Sequence, residues 1–491
     1  MTPRAIPPAL ALAFTLSACA GPPPQPPAPL SPPAPGPGTA PGPIPESATD
    51  PQSPHDDSSL TAQAEVRRVL EIVSRARGLP IRKDVPGRVL DRPGILARIR
   101  EHVAREIPPG VLTYQGEILA SLELIPPDYD FLAGTYRLLQ GRIAGFYEPA
   151  DGTMYLVDDL GEGEAEETLA HELVHALQDQ SYDLGKLLDY RPGDSDRLAA
   201  IHTLIEGDAT SGMLDVVAGS AFAIDEAMLR RLVAISTALS SVGDTPRALQ
   251  ESLAVPYTDG FAFVQGLRKS GGWPAVDAIW RALPQSTEQL LHPEKLATRE
   301  PPIHVPAPSV DALGPDFKPV FDDVMGEQGL RIAFEDYAHR DLAAPAAAGW
   351  GGDRLMVARR EHPTTPGLAE YAIAWRIRFD TPADAKEAAK VFEARFGRTC
   401  KLRPALGPVT WTHQAADLAL VAGPYERAAS PADAMARAVT PPPPPPKPPE
   451  SEEGDVPEGA LAPAPPARAT GTCAQAKEWL KAVLKAPIPG G

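Results

Sequence analysis

Apolar side chains recur at four-residue spacing around residue 170, as expected for one face of a helix. The leucines that mark this face are Leu169, Leu173 and Leu177. The same segment carries His171, Glu172 and His175. Because residues four apart lie one turn apart on a helix, both imidazoles can bind one divalent ion, with the carboxylate on the same side. The pattern therefore predicts a metal site; two structural histidines in a buried helix are the alternative.

A second helix is predicted from about residue 196 to residue 213, and Glu206 lies among its apolar positions. A carboxylate in such surroundings is unfavourable unless a cation or a hydrogen-bond donor meets it. Gly207 is small, so we expect this helix to approach the histidine helix closely and Glu206 to be the third metal ligand. His202, one turn earlier, is the main alternative, followed by Asp208.

Between these helices and the N-terminal segments, two apolar, aromatic-rich runs predict a β-hairpin over residues 141–157. Pro149 and Asp151-Gly152 supply its turn. The hairpin leads almost directly into the histidine helix, where an edge strand could hold an extended substrate by strand addition. A hairpin that only covers the core is the alternative.

The last third of the chain has a different pattern. A helix is predicted from Thr381, its N-cap, to Phe396, with Pro382 in the first turn. Strands are predicted at residues 354–358, 371–377, 409–411 and 418–421. The predicted fold class is α+β: a mainly helical core with a β-hairpin before the histidine helix, followed by a smaller α+β C-terminal module.

Composition and charge exclude some functions. The chain has 491 residues and a net charge of -18, which argues against nucleic acid as a partner because phosphate neutralisation needs an excess of lysine and arginine. Half of its 60 prolines lie in residues 1–58 and 438–470. These stretches cannot bury a core and are interpreted as an N-terminal tether and a low-complexity segment.

The N-terminus has the pattern of an export signal. Arg4 precedes an apolar run over residues 9–16, which is too short to span a membrane. Leu16-Ser17-Ala18-Cys19 resembles the lipobox of bacterial lipoproteins. The resemblance implies cleavage before Cys19, a lipid on its sulfur, and membrane attachment. Ala20 in place of aspartate favours the outer membrane, and an ordinary secretory signal is the alternative.

Export also bears on the other two cysteines. If Cys19 carries lipid, Cys400 and Cys473 remain, and an oxidising compartment favours a disulfide between them. That bridge would tie the final segment back across the second proline-rich stretch. Two separate thiols are the alternative.

With these residues identified, the chain resembles the gluzincin group of zinc metallopeptidases. His171 to His175 matches the His-Glu-x-x-His motif, and Glu206-Gly207-Asp208-Ala209 matches the later helix that supplies a glutamate ligand. The metzincin pattern is excluded because Gln178 and Ser181 stand where it requires glycine and histidine. Several other stretches resemble a group of bacterial lipoproteins regarded as metallopeptidases: 145–147, 256–260, 286–295 and 349–354.

The resemblance implies a zincin-like core that hydrolyses peptide bonds in a protein or peptide substrate, with Zn²⁺ held by His171, His175 and Glu206. Glu172 would act as the general base. Tyr257 is the candidate catalytic residue for oxyanion stabilisation, with His202 as the alternative. Asp179 and Asp208 are expected to accept the free ring N–H of the ligating histidines.

The predicted organisation follows from these interpretations. Its parts are a signal peptide (1–18), a proline-rich tether (19–58), the metallopeptidase domain (59–300), the α+β module (301–437), a proline-rich segment (438–470) and a C-terminal helix (471–491). A scaffold lipoprotein that keeps the metal site without turnover is the second functional hypothesis, although a scaffold has no need of Glu172. A zinc hydrolase acting on another amide is the third.

Overall fold

The computed structural model describes residues 55–108, 110–140, 143–240, 245–363, 365–429 and 467–488. The predicted signal peptide, Cys19 and nearly all of the tether lie outside these ranges, as does most of the second proline-rich segment. The described part has a mixed α+β fold, as predicted. None of its helices is long and apolar enough to cross a membrane.

The part of the chain before residue 300 is mainly helical. Its helices are α1 (His55–Arg77), α2 (Arg92–Glu106), α3 (Val111–Ser121), α4 (Phe131–Gln140), α5 (Glu162–Tyr182), α6 (Leu184–Leu187), α7 (Ser195–Val217), α8 (Glu226–Ser240), α9 (Arg247–Arg281), α10 (Glu288–Leu291) and α11 (Pro293–Thr298). The predicted histidine helix is α5, and the predicted second helix is α7.

One small sheet lies among these helices. It contains β1 (Gly87–Leu90), β2 (Gly145–Glu148) and β3 (Thr153–Val157) in the order β1-β3-β2. The predicted hairpin is β2 and β3, paired antiparallel, and β2 is an edge strand. The sequence did not indicate β1, which pairs parallel with β3.

Helix α7 is central to the helical part. It packs against α1, α5 and α9. Every residue from Leu198 to Gly212 is buried, the polar residues as well as the apolar stripe. The side chains of α7 are therefore positioned by neighbours on all sides.

A pair of glycines sets the distance between α7 and α9. A Cβ atom added to Gly207 would lie 2.1 Å from the backbone of Gly260 in α9, and one added to Gly260 would lie 2.1 Å from the carbonyl oxygen of Thr203. The expectation that Gly207 brings α7 against the histidine helix is therefore wrong. Gly212 is the glycine that faces α5, where an added Cβ would lie 3.1 Å from Val174.

The C-terminal part is built on an antiparallel sheet. Its strands are β4 (Phe317–Asp323), β5 (Trp350–Arg360), β6 (Leu368–Phe379), β7 (Lys401–Arg403), β8 (Gly407–Gln414), β9 (Asp417–Ala428) and β10 (Arg468–Ala469). The order is β4-β5-β6-β9-β8-β7, with β10 paired to β9. Its helices are α12 (Gly326–Tyr337), α13 (Arg340–Ala347), α14 (Pro382–Phe396) and α15 (Cys473–Lys485).

Helices cover both faces of this sheet. Along β6, Trp375 packs with Phe392 of α14, whereas Ala374 belongs to the cluster around Trp479 of α15. The four predicted strands lie in β5, β6, β8 and β9, and the predicted capping of α14 by Thr381 is confirmed. The sheet, α14, α2 and α3 contribute to one continuous hydrophobic core, so the module is packed into the helical part.

Cys400 and Cys473 form a disulfide that joins the chain before β7 to the start of α15. The bridge closes a loop with a sequence separation of 73. A cross-link over a loop of this length removes conformational freedom from the unfolded chain.

We expect the Cys400→Ser, Cys473→Ser double variant to lose about 4 kcal/mol of unfolding free energy, the chain-entropy value for such a loop. Urea unfolding of the double variant, beside wild-type protein with and without reductant, measures the loss. Identical unfolding midpoints in all three samples would show that the bridge does not stabilise the fold.

We also expect Gly260→Ala to lower the unfolding free energy by about 1–3 kcal/mol, because the new methyl group must push α9 away from α7. Gly266→Ala is the matched control on the same helix, since its Cβ would meet nothing within 4 Å. That variant should be neutral or should gain up to about 1 kcal/mol from helix propensity. Equal effects of the two substitutions would contradict the close packing of α7 and α9.

Candidate metal centre

Helix α5 presents the two predicted ligand histidines. The leucines at positions 169, 173 and 177 are buried and fix the rotation of the helix. His171 and His175 therefore share a different face, with their rings 4.7 Å apart in an edge-on arrangement. Their Nε2 atoms are 3.1 Å apart.

Glu206 comes to the same point from α7. Its side chain has no solvent exposure, and Oε2 lies 3.1 Å from Nε2 of His171 and 3.7 Å from Nε2 of His175. Ligand atoms about 2.0–2.1 Å from one tetrahedral ion are about 3.4 Å from each other. The three atoms form a triangle of this size, and two imidazoles with a carboxylate are ligands that Zn²⁺ accepts. The residues therefore fit a divalent ion.

Glu172 lies beside this triangle. One of its carboxylate oxygens lies within 4.8 Å of a ligand atom of each histidine. Its Oε2 accepts a hydrogen bond of 3.0 Å from the backbone N–H of Tyr147 in β2. This bond shows that the edge of β2 away from β3 faces the histidine helix, and it holds the carboxylate between the helix and the strand.

Burial and mutual attraction shift the pKa values of these groups. Burial raises the pKa of Glu172 to about 8 and lowers the pKa of His171. Burial also opposes charge on Glu206 and His175, but their attraction is stronger: it holds the pKa of Glu206 well below its usual range and raises that of His175 to about 9. A buried anion is thus compensated by a cationic imidazole, and a divalent ion among these atoms would supply the same compensation.

Two further side chains hold the proposed ligands. Nε2 of His202 lies 3.0 Å from Oε1 of Glu206, the oxygen not directed at the other two histidines. Nδ1 of His175 lies 2.8 Å from Oε1 of Gln178. Sequence reasoning used Gln178 only to exclude metzincins, although its position three residues after His175 places it on the same helix face.

The prediction that Asp179 and Asp208 accept the free ring N–H groups of the ligating histidines is wrong. Asp208 accepts two hydrogen bonds from buried Arg77 and one from Trp280. Asp179 accepts hydrogen bonds from the Tyr147 hydroxyl and from the backbone N–H of Leu184. Because the buried ion pair with Arg77 engages the Asp208 carboxylate, Asp208 is poorly suited to be the alternative metal ligand.

Tyr257, the predicted catalytic tyrosine, lies on α9. Its ring centroid is 5.7 Å from that of His171, so it packs against the side of the proposed centre. Its role in oxyanion stabilisation stays a prediction.

A cleft of about 930 Å³ leads to the group. His175, His202 and Glu206 line one part of it, and Phe146, Tyr147 and Glu148 of β2 line another. An extended chain in this cleft would lie beside both the edge strand and the candidate ligands.

Two of the other stretches noted for their resemblance, 256–260 and 349–354, each contain a buried aspartate with structural hydrogen bonds. Asp259 accepts hydrogen bonds from Arg230 and Gln328, which joins α8, α9 and α12. Asp353 accepts hydrogen bonds from the indoles of Trp350 and Trp375. Asp259 therefore connects the helical part with the C-terminal module, whereas Asp353 connects neighbouring strands within the module.

The comparisons with known proteins bear only on that module. A family described as a domain of unknown function, DUF8575, matches residues 317–424. The match spans β4 to nearly the end of β9 and includes none of the candidate metal ligands. No curated protein and no solved structure matches the chain.

The geometry ranks Glu206 above His202 as a ligand. We expect Glu206→Ala to lose most of its zinc on dialysis, because it removes a ligand and leaves two imidazoles. His202→Ala should retain zinc with affinity reduced about 10- to 100-fold, since it removes only the support of Glu206. Zinc per chain, measured by elemental analysis on folded protein, decides between them, and the reverse order would assign the ligand role to His202.

Proposed function

We propose that this chain is a zinc-dependent peptidase of the gluzincin type, with a zincin-like core anchored to the cell envelope by a lipid. The observation that carries the proposal is the triangle of His171, His175 and Glu206 ligand atoms with Glu172 beside it. Helices α5 and α7 supply these four groups, and the edge strand β2 holds Glu172 through the N–H of Tyr147. A purely structural ion pair has no need of all four.

In this proposal His171, His175 and Glu206 hold the ion. A bound Zn²⁺ supplies Lewis acidity, which polarises a carbonyl group and makes water more acidic. Glu172 takes a proton from the attacking water and returns it to the departing amine. The backbone N–H of Tyr147 keeps the Glu172 carboxylate directed toward the reaction.

Substrate placement follows from the cleft. β2 is an edge strand that lines the cleft, so an extended peptide in the cleft would lie beside this strand, where the N–H of Tyr147 already binds Glu172. Tyr257, packed against His171, is the proposed oxyanion-stabilising residue. The substrate class is therefore a protein or peptide that can bind as a strand.

The lipid anchor rests on the sequence. Cys19 lies outside the described residues, and the lipobox-like Leu16-Ser17-Ala18-Cys19 supports its lipidation. The disulfide between Cys400 and Cys473 agrees with an oxidising compartment. We propose attachment to the outer membrane, with the peptidase facing the periplasm or the exterior.

The decisive variant is Glu172→Gln, which keeps the size of the side chain and removes its basicity. We expect it to retain zinc and to lose at least about 10²-fold in casein hydrolysis. Glu166→Gln is the control on the same helix, because Glu166 is exposed and pairs with Arg68; its activity should equal that of wild type.

Three results would contradict the proposal. A wild-type protein that contains no zinc would refute the metal site. Equal hydrolysis by wild type and Glu172→Gln would refute the role of Glu172 as the general base. A zinc-loaded wild type that cleaves nothing in a broad peptide library would favour the scaffold lipoprotein.

A further inference from the structure

A buried amide joins the two helices that carry the candidate ligands. Gln178 of α5 has no solvent exposure. Its Oε1 lies 2.8 Å from Nδ1 of His175, and its Nε2 donates a hydrogen bond of 3.1 Å to the carbonyl oxygen of Ile205. Ile205 directly precedes Glu206 on α7, so one side chain connects a candidate ligand on α5 with the backbone beside another.

The chemistry of these partners fixes which way the amide points. A carbonyl oxygen only accepts hydrogen bonds, so the NH₂ group of Gln178 must face Ile205. The amide oxygen then faces His175 and likewise only accepts. Nδ1 of His175 must therefore carry a hydrogen, and Nε2 is the nitrogen left to bind a metal.

We propose that Gln178 is a positioning residue for the metal centre: it holds His175 in the tautomer and ring orientation that metal binding requires and sets the ring against α7. The inference rests on the proposed metal site, and it assigns a role to a residue outside the ligand set and the general base. A hydrogen-bond partner on the second nitrogen is a common support of a ligating imidazole. Here the same amide also ties the ligand to the opposing helix.

A contribution to stability alone is the alternative role of a buried glutamine, and three substitutions separate the two roles. Gln178→Leu removes both hydrogen bonds. Gln178→Glu keeps an acceptor for His175 but loses the donor to Ile205. Gln289→Leu is the matched control: Gln289 is equally buried and makes two side-chain hydrogen bonds with backbone groups, from Gln285 and to Glu300, in another part of the fold.

The experiment measures zinc affinity of the purified full chain by competition with a chromophoric chelator, beside thermal unfolding of the same samples. We expect Gln178→Leu to bind zinc about 10- to 100-fold more weakly than wild type. Gln178→Glu should unfold at a lower temperature than wild type and yet bind zinc more tightly than Gln178→Leu. Gln289→Leu should lose thermal stability with unchanged zinc affinity.

Two results would overturn the positioning role while leaving the metal site in place. One is a Gln178→Leu protein that unfolds earlier but binds zinc as tightly as wild type. The other is a Gln178→Glu protein that binds zinc as weakly as Gln178→Leu, because the acceptor would then be irrelevant. If Gln178→Leu does not fold, Gln178→Glu is compared with wild type, and a loss of about 10- to 100-fold in zinc affinity would equally overturn the role. A wild type that binds no zinc would refute the metal site itself, and the positioning role with it.

Discussion

Glu206 lies on a fully buried stretch of α7, where an uncompensated carboxylate costs several kcal/mol, and neighbouring imidazoles hold its pKa well below the usual range. Imidazoles of His171, His175 and His202 surround it, and each comes within 3.7 Å of one of its oxygens. The arrangement of α5 against α7 depends on this compensation. Because the same contacts bring three ligand atoms to tetrahedral spacing, the stability of the helix pair and the proposed chemistry depend on the same atoms.

Rigid packing around α7 keeps that arrangement in place. The Gly207–Gly260 contact sets the distance to α9 at the residue next to Glu206. One residue further, Asp208 forms a fully buried ion pair with Arg77 of α1. On the side of the proposed substrate cleft, the hydrogen bond from the Tyr147 N–H of β2 fixes the position of Glu172. A centre held from several directions can bind an ion without reorganisation, which suits both tight binding and a precisely placed base.

Local sequence patterns predicted the parts of this site that depend on helix periodicity. His171, Glu172 and His175 share a face by spacing alone, and Glu206 stood out as an acid among apolar neighbours. The strands of the C-terminal sheet and the capping of α14 were also accessible from local patterns. Contacts between distant residues were not: the partner of Gly207 is 53 positions away, and Arg77 and Asp208 are 131 apart. Gln178 was missed for a related reason, since its second bond, to Ile205, exists only after two helices meet.

The most direct test of the central claim is the zinc X-ray absorption spectrum of the purified full-length protein. The geometry predicts one zinc per chain with only nitrogen and oxygen neighbours at about 2.0–2.1 Å, two of them with the outer-shell scattering of imidazole. A spectrum with sulfur in the first shell, or with no imidazole contribution, would contradict binding by His171, His175 and Glu206.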